Sequence, residues 1–188
     1  MATEKLKFKI ELYSVYYNKP PIAEIFIKNT DDKSVTNDTI ANKNLFDYDS
    51  NKPILNINNS YFNNEVVEIK KQPAIIEFEH TFENNKSYDL VINRSGKDKR
   101  QTVIKDGKII IDQVLYIKSI EIDEVDIGPL IYEGVYKPRY PEPWASEQIK
   151  KGIKLPESLK NSPDLGHNGV WTFTFESPFY MWLLEHLY

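Results

Sequence analysis

The strongest constraint on the fold is a run of alternating apolar residues in the middle of the chain, IIIDQVLYIKSIEIDEVDI at residues 109–127. Three pairs keep a period of two: Leu115–Ile117, Ile120–Ile122 and Val125–Ile127. This period is typical of strands with one buried face, and a shift of phase indicates a bulge or a tight turn. Because the phase shifts at Lys118-Ser119 and at Asp123-Glu124, we predict a bulged central strand followed by a turn and a short return strand.

About ten short strand patterns with turn signals between them are spread along the chain, as in antiparallel sandwiches. The clearest lie at residues 7–13, 22–28, 74–82, 88–93 and 171–175. The segments 18–21 and 95–98 are predicted to close hairpins, and Asp106-Gly107 between two β runs is a strong hairpin signal. The predicted fold class is all-β: an antiparallel β-sandwich, jelly-roll-like, with a Pro/aromatic loop region and a short C-terminal α-helix.

We expect one domain over residues 1–188, with main strands at 1–128, Pro/aromatic loops at 129–169 and the last strand and helix at 170–188. Residues 29–51 read as a long polar loop, and 54–57 and 61–69 as short strands. A short helix is predicted within residues 143–151. Ser177-Pro178 predicts the start of the terminal helix, with the serine hydroxyl as its N-cap. The spacing predicts that this helix buries Phe179, Trp182, Leu183 and Leu187.

Composition excludes several classes of protein. The formal net charge is −4, from 24 basic and 28 acidic residues. Because duplex binding needs a net basic face, no nucleic-acid partner is predicted. The chain has no cysteine, which excludes disulfides, thiolate metal sites and a cysteine nucleophile. We see no signal peptide and no apolar run of the roughly 20 residues that span a bilayer, so we expect a protein made in a cytoplasm.

Catalytic motifs are not recognisable in this sequence. His80 falls on the apolar face of a strand, His167 in a glycine-flanked turn and His186 at the end of the terminal helix. No nucleophile elbow, zinc-binding helix or glycine-rich phosphate loop is present, and no pair of carboxylates stands out. The sequence therefore predicts a protein that is not an enzyme.

A group of carboxylates in and after the central strand raises the question of calcium, which binds several oxygen ligands. The candidate ligands are Glu121, Asp123 and Asp126, with Glu124 beside them. Alternation places them on both faces of the strand and in a turn. A charged, solvated surface is the favoured interpretation and a Ca²⁺ site the alternative, with no other cofactor expected.

The most function-like feature is the segment YEGVYKPRYPEPW, in which aromatic residues alternate with prolines. Its candidate ligand-binding residues are Tyr132, Tyr136, Arg139, Tyr140 and Trp144. The prolines exclude a helix, so the fourfold spacing of the rings is not a helical stripe. Rigid loops with Tyr, Trp and Arg suit sugar stacking, and they also suit protein interfaces. Packing of the loop against the sandwich is the third interpretation, and all three stay open.

Four stretches from both ends and the centre of the chain carry a resemblance. They are KFKIELYSVYYNKPPIAEIFI, KSIEIDEVDIG, YPEPWASEQIKKGI and GHNGVWTFTFESPFYMWLLEHL. The chain resembles a group of small β-rich proteins encoded by tailed phages of marine bacteria, cyanophages among them. This resemblance implies a viral setting. The strand pattern is also similar to carbohydrate-binding modules of the jelly-roll type.

The leading hypothesis is a phage-encoded, non-enzymatic binding module that recognises carbohydrate through residues 132–144. The alternative is a virion structural or accessory protein, in a tail or decoration role, whose aromatic loop and terminal helix form subunit interfaces. A carbohydrate-active enzyme is the third hypothesis. The expected partners are a glycan or other virion proteins, including further copies of the chain in a homo-oligomer.

Overall fold

The structure is a computed structural model that describes residues 2–17, 19–30, 55–56 and 70–187. Most of the described elements are β-strands. The helical elements are α1 (Trp144–Lys150), α2 (Phe179–Leu187) and a 3-10 turn at Gly128–Glu133. The strands are β1 (Thr3–Tyr16), β2 (Ile22–Asn29), β3 (Leu55–Asn56), β4 (Lys70–Glu83), β5 (Lys86–Ser95), β6 (Val103–Lys105), β7 (Lys108–Ile111), β8 (Val114–Ile122), β9 (Val125–Asp126), β10 (Val135–Arg139), β11 (Leu159–Lys160), β12 (Asp164–Leu165) and β13 (Asn168–Ser177).

The strands form two main antiparallel sheets and one small hairpin. The first sheet has the order β12-β8-β1-β4, with β9 paired to β8. The second has the order β11-β10-β13-β5-β2-β3, and β6 and β7 form a separate two-stranded sheet. The prediction of an all-β, antiparallel sandwich with a short C-terminal helix is confirmed, and the jelly-roll connectivity stays a prediction.

The hydrophobic core lies between the two sheets. Phe8 of β1 and Phe82 of β4 place their rings 6.1 and 5.4 Å from the ring of Phe175 in β13. All three side chains are fully buried. Burying a phenylalanine contributes about 1.5–3 kcal/mol, so these contacts between the sheets are a main source of stability.

The central run folds as the sequence predicts. In β8, Lys118 is an extra residue, because Glu11 pairs with Ser119 while Leu12 pairs with Ile117. The turn between β8 and β9 has positive φ angles at both central residues, 50° at Asp123 and 66° at Glu124. Two left-handed residues are the requirement of a type I′ hairpin turn.

Two of the three predicted hairpins are wrong. β1 lies in the first sheet and β2 in the second, so the two strands do not form the hairpin predicted at 18–21, and the turn at 95–98 leads from β5 to the separate β6–β7 pair. The hairpin at Asp106-Gly107 is confirmed. Proline and glycine in a turn reverse the chain, but they do not decide which sheet the next strand joins. In a sandwich, that choice depends on which apolar faces meet.

The terminal helix differs from prediction at both ends. Ser177 does not cap it, because its hydroxyl bonds Oδ1 of Asn84 at 3.2 Å. Glu4 accepts the hydrogen bond from the backbone N–H of Phe179 instead. The predicted burial of Leu187 is wrong, because this side chain, at the last residue of α2, is 50% exposed. The predicted burial of Phe179, Trp182 and Leu183 is confirmed.

Three predictions concern segments that the structure describes only in part or not at all. The predicted loop at 29–51 beyond Thr30 and the predicted strand at 61–69 lie outside the described residues. Of the predicted strand at 54–57, Leu55–Asn56 are described as β3. Neither helix in the described ranges has the length and apolar character that crossing a membrane requires.

Candidate functional site at one end of the sandwich

Four strand ends meet at one end of the molecule, which we call the loop end. Because β13 runs antiparallel to β5 and to β10, its first residues lie beside the last residues of both: Gly169 pairs with Arg94, and Asn168 pairs with Arg139. The start of β8 is joined to this group through Gln113. The loop end therefore collects residues that are far apart in sequence.

An aromatic cluster lies at the loop end, formed by Tyr140, Trp144 and His167. The Tyr140 and Trp144 rings are 6.0 Å apart, and the His167 ring lies 5.0 Å from the first and 5.4 Å from the second. Trp144 is the first residue of α1 and is 36% exposed. The Tyr140 hydroxyl donates a hydrogen bond to the carbonyl of Pro156. The cluster thus exposes the indole ring of Trp144 to solvent. The rings of Tyr140 and His167 support it from within the cluster.

Tyr136 lies beneath this cluster and is not at the surface. Its side chain is 1% exposed, its hydroxyl donates to the carbonyl oxygen of His167, and the N–H of His167 donates back to the hydroxyl at 3.0 Å. Burial raises the pKa of Tyr136 to about 12. Tyr136 therefore holds the backbone of His167 in place and does not offer a face to a ligand.

The other two predicted ligand-binding residues lie apart from the cluster. Arg139 is exposed, and its guanidinium donates to Oδ1 of Asn93 at 3.0 Å on the outer face of the second sheet. Tyr132, 48% exposed, sits in the 3-10 turn before β10. Glu133, Gly134 and the five residues of β10 separate it from Tyr140, and this strand alone spans about 17 Å. Of the five predicted residues, the structure brings Tyr140 and Trp144 together.

Behind the cluster lies a polar network in which Arg94 and Gln113 are buried and Lys97, Asp112 and Asn168 are half-buried. The guanidinium of Arg94 donates to Oδ1 of Asn168 at 2.9 Å and to Oε1 of Gln113 at 2.7 Å. The side chain of Lys97 forms an ion pair with Asp112 at 2.6 Å. The network contains the cations of Arg94 and Lys97 and the carboxylate of Asp112. Because Asp112 pairs with Lys97, the amide oxygens of Gln113 and Asn168 accept the hydrogen bonds of Arg94.

Burial governs the protonation of this region. It lowers the pKa of Arg94 from 12.5 to about 10, so the guanidinium stays charged at neutral pH. Burial, with Lys97 as a second cause, lowers the pKa of His167 below its ordinary 6.5. His167 is therefore neutral at neutral pH, and its ring acts as an aromatic surface beside Trp144.

The three carboxylates considered for calcium are each engaged separately. Glu121 bonds the ammonium of Lys9, Asp123 accepts from the backbone N–H of Lys7, and Asp126 accepts from the N–H of Gly128. No three His, Asp or Glu side chains in the described ranges are grouped so that they could hold a metal ion. The described structure therefore offers no observation that favours Ca²⁺.

Sequence reasoning missed the role of His167 and the polar network. The sequence predicts only a glycine-flanked turn at His167, and Arg94 lies one residue beyond the predicted strand at 88–93. The signal that could have found them is the register between β10 and β13, because Arg139 opposite Asn168 puts His167 beside Tyr140. Comparison of the chain with protein-family models, with curated proteins and with solved structures found no match.

Proposed function

We propose that the protein is a carbohydrate-binding module whose binding surface is the aromatic cluster of Tyr140, Trp144 and His167. The observation that carries the proposal is the exposed Trp144 ring, which two further rings and the hydrogen bond of Tyr140 hold in one orientation. A preorganised ring costs little conformational entropy when a ligand stacks on it.

The chemistry around the cluster suits a sugar. The apolar C–H face of a pyranose stacks on an indole or phenol ring, and its hydroxyls need a few polar groups at the rim. Glu142 and Ser146 are both exposed beside Trp144, and the hydroxyl of Ser146 donates to the Glu142 carboxylate at 2.8 Å. The neutral His167 adds a third ring without adding a charge.

A glycan array with purified protein tests the proposal. Wild-type protein should bind a defined set of sugars, and Trp144→Ala and Tyr140→Ala should reduce binding by at least about tenfold, or about 1.4 kcal/mol. Tyr132→Ala is the control, since it removes an exposed aromatic ring outside the cluster, about 17 Å away along the chain. Equal loss in all three variants, or no binding by the wild type, would contradict the proposal.

The phage setting and a virion structural or accessory role form the second candidate function. The phage setting rests on the sequence resemblance. The structural role is supported by a separate observation, the apolar residues that α2 leaves exposed. Purified virions of a phage that encodes the chain should contain it in stoichiometric amounts if this role holds, which quantitative mass spectrometry of the particles measures.

A further inference from the structure

An apolar surface remains exposed on α2. Its members, which we call the helix patch, are Tyr180, Met181, Leu184 and Leu187, each between 46% and 60% exposed. The opposite face of α2 is already buried against the sandwich. A helix that is apolar on both faces normally has a partner on each of them.

A second apolar surface is exposed on the β6–β7 hairpin. This hairpin patch consists of Ile104, Ile109 and Ile110, exposed by 61%, 62% and 48%. Ile104 and Ile109 are direct partners across the hairpin, so their side chains stand next to each other. Contiguous exposed isoleucines of this kind mark interaction surfaces more often than isolated apolar residues do.

The two patches lie at opposite ends of the sandwich. β13 begins at the loop end, beside the last residues of β5 that lead to the hairpin, and ends at Ser177, directly before α2. Its 10 residues span about 33 Å. One copy of the chain therefore cannot bring its own two patches into contact without unfolding.

The rims of the two patches carry opposite charge. Tyr180 in the helix patch has a pKa raised by partial burial and by the neighbouring carboxylates of Asp123, Glu124 and Glu4, and its hydroxyl lies 3.5 Å from the carbonyl of Asp123. Glu185 adds a further acid on α2, and Lys7 is a cation near this rim, since its backbone N–H bonds Asp123.

The hairpin patch is flanked by basic residues. Lys105 and Lys108 pair across the turn, and Lys99 is exposed in the connection before β6. Asp106 lies between the two paired lysines, while Asp98 is bound to Arg100. The hairpin rim is thus net basic, and the helix rim is net acidic.

From this complementarity we propose that copies of the chain associate head to tail, with the helix patch of one copy docked on the hairpin patch of the next. The opposite charges of the two rims favour contact between a helix patch and a hairpin patch. They disfavour contact between two helix patches or two hairpin patches. A heterologous contact of this type leaves one free patch at each end, so it builds rings or filaments, not closed dimers. The proposal is independent of the carbohydrate site.

Sedimentation velocity tests the proposal over a concentration range suited to weak interfaces, about 10 µM to about 1 mM. Wild-type protein should form species larger than dimers as concentration rises. Leu184→Lys blocks the helix patch and Ile109→Glu blocks the hairpin patch, and each should weaken self-association by at least about tenfold. Ile75→Lys and Ile75→Glu are matched controls, because Ile75 is 58% exposed outside both patches.

The decisive sample is an equimolar mixture of Leu184→Lys and Ile109→Glu proteins. Each retains the patch that the other has lost, so one productive contact remains and the mixture should form 1:1 dimers and nothing larger. Circular dichroism confirms that each variant is folded. The proposal is overturned if the wild type stays monomeric, if either variant associates like the wild type, or if the mixture forms no dimer.

Discussion

The carboxylate of Glu4 accepts a hydrogen bond from the backbone N–H of Phe179 at 2.7 Å, across 175 residues of sequence. Glu4 lies near the start of β1 and Phe179 is the first residue of α2, so this bond joins the two ends of the chain. A carboxylate at a helix N-terminus satisfies a free N–H and interacts favourably with the helix dipole.

Glu4→Ala is therefore expected to lower the free energy of unfolding by about 1 kcal/mol. Glu4→Gln keeps an acceptor oxygen and should lose about half as much. Urea denaturation measures the stability, and hydrogen exchange of the α2 amides shows whether the first turn loosens. Glu176→Ala removes another exposed carboxylate and serves as the control. An equal loss in the control would show that general charge, and not the cap, is responsible.

Gly134 should not tolerate a side chain. A Cβ built there lies 2.3 Å from the ring of Trp171, which is fully buried in the core. Gly134→Ala forces the indole or the start of β10 to shift, at a cost of about 1–3 kcal/mol. The matched control is Gly166→Ala, where the added Cβ meets nothing within 4 Å. Thermal unfolding compares the two, and similar melting temperatures would contradict the close packing.

Arg94 is expected to contribute through packing as well as hydrogen bonding, because its side chain is fully buried. Arg94→Ala leaves a cavity and removes the donor to Oε1 of Gln113, and should cost about 2–5 kcal/mol. Arg94→Met fills most of the volume without a buried charge, so it should cost clearly less. Lys99→Met, at an exposed position, is the control at about 0.5 kcal/mol or below. Chemical denaturation measures the loss of stability in each variant. If Arg94→Met loses as much stability as Arg94→Ala, the packing contribution is excluded.

Two partly buried histidines are expected to make the stability of the fold decrease at acidic pH. Burial lowers the pKa of His80 and of His167 below the ordinary 6.5. Below pH 6.5 the unfolded chain therefore binds more protons at these positions than the folded chain does, so stability is retained above this pH and falls as the pH decreases.

Urea denaturation between pH 7.5 and pH 5 measures this effect. His80→Phe places a ring that does not titrate beside Phe82, whose ring lies 4.7 Å from that of His80. The variant should lose less stability than the wild type over the acidic half of this range. An unchanged pH slope in both His80→Phe and His167→Gln would show that these histidines are not responsible.

The sequence determined most of the local structure. Alternation along residues 115–127 predicted β8, its bulge and its return strand, since apolar period and turn chemistry depend on neighbouring residues. Asp106-Gly107 predicted the β6–β7 hairpin, and WTFTF predicted the buried rings of β13. The aromatic candidates Tyr140 and Trp144 also came from a local pattern of rings between prolines.

Tertiary structure alone decided which of these elements meet. The partners of β1 are β4 and β8, both more than fifty residues away, and not β2, which follows it. The cap of α2 comes from Glu4, and the third ring of the aromatic cluster is His167. Each of these contacts depends on which distant strands pair within a sheet and on how the elements of the packed chain meet. That arrangement is a property of the whole packed chain, because a strand's own residues encode which face is buried but not which strand lies opposite.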